Sequence, residues 1–154
     1  MKIILVRHAK AEDKREDLDD IKRHLTKKGK EKFNDLIPKL KHKLRSVDKK
    51  QIVSWSSPAN RAMETAGIVI KAINLDKLIT HEFIYSGNID IFKKELEKVE
   101  DDMTLLVFGH EPTLSDWVEE LTVETIKMKK GAMVSLSVTD KSPLKAEIEW
   151  QIKP

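Results

Sequence analysis

No cysteine occurs among the 154 residues. That single absence removes disulfide frameworks, thiolate metal sites and a thiol nucleophile, and with them any argument for an oxidising compartment. No apolar run approaches the roughly 20 residues of a membrane-spanning helix. The opening Met1-Lys2-Ile3-Ile4-Leu5-Val6-Arg7 meets a charge before a signal peptide's apolar stretch is complete, so no leader is expected. Gly/Ser-rich linkers, internal repeats and low-complexity tracts are also missing, which reads as one domain over residues 1–154. Neither sign of charge dominates: 29 Lys and Arg stand against 26 Asp and Glu, with a pI of about 8.9, and such a balance favours anionic partners only weakly. Aromatic residues make up 5% and do not interleave with the lysines between Lys27 and Lys50, so those lysines read as solvated helix faces rather than a nucleic-acid surface. What remains is 36% charged and 40% hydrophobic, enough to bury one core. A cytoplasmic monomer bound to neither membrane nor nucleic acid is the expectation.

Strand and helix signals alternate along the chain, the pattern of an α/β fold with a mostly parallel sheet. Lys2–Val6 reads as a short strand, apolar throughout after Lys2, of the kind buried on both faces. Glu12–Asp20 is acidic and loop-like, and reads as mobile. Thr26 suits the N-cap of an amphipathic helix carrying Phe33, Leu36, Ile37, Leu40 and Leu44, with a kink or break at Pro38. Gln51–Trp55 reads as a second strand. Ser57-Pro58 follows as N-cap and first helical residue, opening a helix that runs to about Ile73. A weak strand precedes Glu82, and Ile89, Phe92, Leu96 and Val99 mark another helix. Thr104–Phe108 is the next strand, and Pro112 begins a helix with Leu114, Trp117, Val118 and Leu121 inward. Ala132–Val138 and Ala146–Ile152 alternate as a terminal hairpin.

Two of these strands end alike. Ile3–Val6 is followed by Arg7-His8, and Leu105–Phe108 by Gly109-His110. Functional groups of parallel α/β sheets gather beyond the carboxyl ends of the strands, so the two histidines are expected to meet despite their separation in sequence. His110 would stand near a helix N-terminus, which attracts anions, and Arg61, in the first turn of its helix, could clamp a phosphate. Taken singly, each segment has a plain structural reading: a hydrogen-bonded histidine, a strand-to-helix turn, a surface arginine. Together, two arginines and two histidines make a cationic pocket without an obvious structural purpose.

At this point the chain resembles the histidine phosphatase superfamily. The residues that carry the likeness are Arg7-His8-Ala9, Leu25-Thr26-Lys27-Lys28-Gly29, the run from Ser57-Pro58 through Arg61 to Thr65-Ala66, and Gly109-His110. Ala9 stands where the family's first motif has glycine, and Ala11 and Lys14 fall where the mutase branch supplies serine and asparagine. The resemblance implies a phosphoglycerate mutase-like, three-layer αβα sandwich with a C-terminal antiparallel hairpin. The short chain and Gly109-His110-Glu111-Pro112-Thr113-Leu114-Ser115 resemble the SixA-type phosphohistidine phosphatases, and the roughly thirty residues between the Arg61 helix and Thr104 leave little room for a lid.

That likeness implies a metal-independent, cofactor-free phosphatase in which His8 attacks phosphorus and is transiently phosphorylated. Arg7, Arg61 and His110 would bind the phosphoryl oxygens, and Glu82 falls roughly where the superfamily places its proton donor. The implied substrate is a phosphorylated protein, a histidine phosphotransfer domain or another phosphocarrier. The alternatives are a small-molecule phosphomonoesterase, which would need Glu82, and a noncatalytic phosphate-binding module, which would not need His8. Lys10, His24 and His42 read as solvent-facing, and Trp55, Trp117 and Trp150 as packing residues.

Overall fold

The structure, a computed structural model, describes residues 1–154. Its strands are β1 (Lys2–Arg7), β2 (Ile52–Ser56), β3 (Ile79–Thr80), β4 (Thr104–Gly109), β5 (Met133–Lys141) and β6 (Leu144–Ile152), ordered β3-β2-β4-β1-β5-β6 in one sheet. The first four run parallel, while β5 pairs antiparallel with β1 and β6 with β5. The helices are α1 (Lys27–Asn34), α2 (Ile37–Lys43), α3 (Asn60–Ile73), α4 (Glu82–Ser86), α5 (Ile89–Glu97) and α6 (Thr113–Thr122). No helix is long and apolar enough to cross a membrane.

Alternation along the strands divides the core into two layers. Ile3, Leu5, Leu105 and Val107 face one way and pack with Phe92 and Trp117, whose rings stack at 4.4 Å. Ile4, Val6, Leu106 and Phe108 face the other way, against Phe33, Leu40 and Val69. Every residue of β4 is buried, since it lies between β1 and β2 with helices on both faces. The αβα sandwich expected from the sequence is therefore present, hairpin included.

Several boundaries move. The Thr26 hydroxyl does cap α1, accepting from Gly29 N–H at 2.9 Å, and the helix does break before Pro38, which sits in the first turn of α2 where its missing N–H costs nothing. By contrast α3 begins at Asn60, with Ala59 rather than Ser57 at the N-cap position. Ser57 is held back because its own N–H bonds the Phe108 carbonyl at 2.9 Å and its hydroxyl closes a tight turn onto Ala59 N–H at 3.2 Å. Likewise Pro112 is the N-cap of α6 and not its first residue. The two hairpin strands extend to Lys141 and from Leu144, leaving Ser142-Pro143 as the turn. Trp55 and Trp117 are buried, but Trp150 lies on the outermost strand, half-buried, with the Lys43 ammonium 5.6 Å above its ring.

Gly29 brings α1 against the chain leaving β1. A Cβ there would lie 2.3 Å from the Lys10 carbonyl oxygen, which also accepts from Thr26 N–H. Alanine normally favours a helix interior by roughly 1 kcal/mol over glycine. Here the backbone clash reverses the sign, and Gly29→Ala is expected to destabilise the fold by about 1–3 kcal/mol. A urea titration checks it, and equal or greater stability of the variant would contradict this packing account.

Candidate active site

The site forms where β1, β4 and β2 end side by side. Arg7 pairs with Gly109 in the parallel register, His8 N–H donates to the Gly109 carbonyl at 3.0 Å, and Ser57 N–H to the Phe108 carbonyl. These bonds stitch three loops together and bring His8 and His110 to 5.3 Å between ring centroids, both only 7% exposed. A cavity of about 320 Å³ opens over them, with Arg7, Arg23 and Arg61 in its wall.

The His8 ring is oriented by its own loop. Its Nδ1 lies 2.6 Å from the Ala9 carbonyl, which can only accept, so Nδ1 carries the hydrogen and Nε2 of the neutral ring keeps its lone pair. Ala9 is fixed in turn, because its N–H donates to the Thr65 hydroxyl at 3.1 Å and that hydroxyl donates to the Arg61 carbonyl, one turn back in α3, at 2.7 Å. Threonine four residues after an arginine is thus a tie between α3 and the His8 loop. Ala59, Ala62 and Ala66 are wholly buried, and their small side chains let α3 approach this closely.

Both histidines resist protonation. Burial lowers the His8 pKa to about 4, with the Ala9 carbonyl pulling the other way and the charges of Arg61, Arg7 and Arg23 adding to the depression. Burial, followed by the charge of Arg61 and the neighbouring His8, takes His110 to about 3. The His110 Nε2 lies 2.7 Å from the Ser57 hydroxyl. The Ser57 hydroxyl proton has no other acceptor, so donation to Nε2 pairs it and assigns the hydrogen of the neutral ring to Nδ1.

Six buried side-chain N or O atoms have no partner, and three of them, all donors, belong to this site, the others being Ser54 Oγ, His81 Nε2 and Ser135 Oγ. Arg7 Nε, Arg61 Nε and His110 Nδ1 are buried and bonded to nothing, although an unpaired buried donor costs on the order of 1–3 kcal/mol. All three belong to residues lining the one cavity. Other arginine nitrogens hold the side chains still. Arg7 Nη1 donates to the Met128 carbonyl at 2.7 Å. Arg61 grips Asp20 twice, Nη1 to its carbonyl at 2.7 Å and Nη2 to its carboxylate at 2.9 Å. Tyr85 and Arg23 bond the same carboxylate. Burial opposes its ionisation, but the hydrogen bonds from Tyr85 and Arg61 and the two arginine charges hold Asp20 down to about 2.

Of the residues singled out in the sequence, Arg7, His8, Arg61 and His110 are brought together. Glu82 is not among them: it is the exposed first residue of α4, makes no hydrogen bond and does not line the cavity. Glu111 does line it, yet its carboxylate is committed to Ser115 N–H and hydroxyl and to Met128 N–H. Lys10 lies in a neighbouring groove and not in the cavity. The acidic loop ends in a 3-10 turn at Asp20–Lys22, so its last residue is anchored where a mobile segment was expected. His24 is exposed as expected but has a partner, Glu64, at 2.7 Å. Sequence reasoning missed Asp20, Tyr85 and Arg23; the only local signal was the i, i+3 spacing of Asp20 and Arg23.

Comparison with known proteins agrees with this geometry. The sequence model of the histidine phosphatase superfamily (branch 1) matches residues 3–84, and a comparison with curated proteins finds no match. Among solved structures, the protein histidine phosphatase SixA complexed with tungstate superposes with a TM-score of 0.84 at 25% identity, covering 100% of this chain and 97% of that one. A SixA structure from Agrobacterium tumefaciens gives 0.79 at 17% identity, covering 99% and 97%. A mycobacterial glucosyl-3-phosphoglycerate phosphatase gives 0.72 at 12% identity, covering 99% of each chain. The last two likenesses are of fold alone. Since the matched stretch spans more than half of the sequence and contains Arg7, His8 and Arg61, the chain belongs to branch 1 of the histidine phosphatase superfamily.

Proposed function

We propose that this protein is a phosphatase that removes the phosphoryl group from phosphohistidine on a protein, working as a single domain over residues 1–154 without a large lid. The observation that carries the reading is the set of three unpartnered donors, Arg7 Nε, Arg61 Nε and His110 Nδ1, beside a histidine whose Nε2 keeps its lone pair. His8 Nε2 attacks phosphorus, the P–N bond of the substrate breaks, and the departing imidazole leaves as a neutral molecule when its other nitrogen is protonated. Water then attacks phospho-His8 and releases phosphate. The three donors meet the phosphoryl oxygens with charge and dipoles already in place, so no metal is called on.

The preference for phosphohistidine over an ester follows from what stands near His8. Transfer from one imidazole to another leaves nucleophile and leaving group chemically matched, whereas an alkoxide must be protonated as it departs. Glu82 lies outside the cavity, Glu111 is occupied by Ser115 and Met128, and Glu12 accepts from His24 N–H, so the one unengaged carboxylate in the wall is Asp13, which is solvent-exposed. The likeness to SixA supports the same substrate class. The test is phosphate release from a histidine-phosphorylated protein and from an aryl phosphate, by wild type and Glu82→Gln. The phosphoprotein is expected to be the better substrate, with the variant within about threefold of wild type, far less than the 10²–10⁴-fold contributed by a working general acid. Ester hydrolysis that exceeds phosphoprotein hydrolysis and collapses in Glu82→Gln would establish a small-molecule phosphomonoesterase instead.

The nucleophile's readiness has its own signature. A histidine with its pKa near 4 is neutral throughout the physiological range, so no deprotonation precedes attack. Imidazole NMR of the free protein is expected to show His8 and His110 still neutral at pH 6, where ordinary histidines near 6.5 are mostly charged. A His8 midpoint near 6.5 would remove the electrostatic basis of the mechanism.

A further inference from the structure

A second, larger concavity of about 660 Å³ adjoins the catalytic cavity and shares Arg7 and Lys130 with it. Its walls come from three places: Lys10 just after β1, Lys32 and Phe33 of α1, and Lys129-Lys130 ahead of β5. The lysine side chains stand exposed, and against four of them there is one carboxylate side chain, Asp35. None of the four ammonium groups has a hydrogen-bond or ion-pair partner, so their charge is not neutralised within the groove. Such a one-signed cluster at the mouth of a site favours approach of the opposite charge.

We infer that this groove receives an acidic polypeptide segment flanking the phosphohistidine of the substrate protein, an inference that rests on the reading of the site given above. A phosphohistidine inserted against His8 puts its neighbouring residues at the rim beside Arg7, where the groove begins. The lysines are spread along the walls, and the groove's one buried donor without a partner is Nε of Arg7, a residue it shares with the catalytic cavity. Those features fit a chain with several carboxylates better than a compact anion, which would need convergent, buried donors. Specificity would then be divided: the catalytic cavity reads the phosphoryl group, and the groove reads what surrounds it in sequence.

The test uses two histidine-phosphorylated peptides, one with aspartates and glutamates flanking the phosphohistidine and one with serines and asparagines there, with phosphoramidate as a substrate too small to reach the groove. Wild type is expected to favour the acidic peptide by about tenfold in kcat/KM, through KM, with the preference fading as salt is added. Lys10→Glu combined with Lys32→Glu is expected to abolish the preference while leaving kcat and phosphoramidate hydrolysis unchanged. Lys10→Ala with Lys32→Ala should fall between. A wild type that treats both peptides alike, a preference that survives the double reversal, or competition by an oligonucleotide stronger than by the acidic peptide overturns the groove's assignment alone. If neither peptide is hydrolysed while an aryl phosphate is, the phosphohistidine reading fails and the groove inference falls with it.

Discussion

His8→Ala is expected to lower phosphate release from a phosphohistidine protein by on the order of 10⁴-fold or more, because removing a covalent nucleophile removes the reaction path itself. The size of the effect follows from the surroundings. His110, the other imidazole in the cavity, has Nε2 turned to Ser57 and presents a hydrogen at Nδ1, so it offers the phosphorus no lone pair to take over with. Phosphate affinity should survive the change, since Arg7, Arg61 and His110 remain. Loss of turnover with retained phosphate binding is therefore the expected pair of results. A second readout comes from trapping: brief incubation with labelled phosphoprotein followed by alkaline quench should leave acid-labile label on wild type and none on the variant. Turnover in His8→Ala within tenfold of wild type would end the covalent mechanism.

Arg61→Ala should cost about 10³-fold in kcat/KM, the range found when an arginine or a fixed donor is withdrawn from a phosphoryl-transfer site. Lysine is not expected to restore it. Arg61 holds Asp20 with two nitrogens and still has Nε left over, a division of labour that needs a planar fork. A lysine can supply the charge but not both the grip and the separate donor, so Arg61→Lys should stay at least about 10²-fold below wild type. The Arg61 side chain is 6% exposed and its loss takes one of three partners from the Asp20 carboxylate, leaving Tyr85 and Arg23, so thermal melts of both variants belong beside the kinetics. Full activity in Arg61→Lys would show that charge alone suffices.

The meeting of Arg7, His8, Arg61 and His110 was legible from sequence because each follows an apolar run or opens a helix, and strand ends in such a sheet converge by topology. β1 and β4 were readable because a run buried on both faces is apolar throughout, and β6 because an edge strand alternates. Partners were harder. Asp20 reaches Arg61 across 41 positions and Tyr85 across 65, and no local pattern encodes a hydrogen bond between residues that only the finished fold brings together. The start of α3 was misplaced because Ser57-Pro58 has good capping chemistry, which lost to a backbone bond with β4 that capping preferences do not include. Glu82 illustrates the opposite hazard, where a place in the chain fits a role and the side chain points to solvent.

The parallel register that sets His8 beside His110 also decides how the protein can fail. Both residues hang from the two innermost, fully paired strands, the part of a sheet that opens last and only with the whole molecule. Fraying of β3 or β6 at the edges therefore leaves His8 beside His110, and that pair is lost only when the sheet as a whole gives way, whereas Arg61 depends on α3 and the Asp20 turn and can be lost before it.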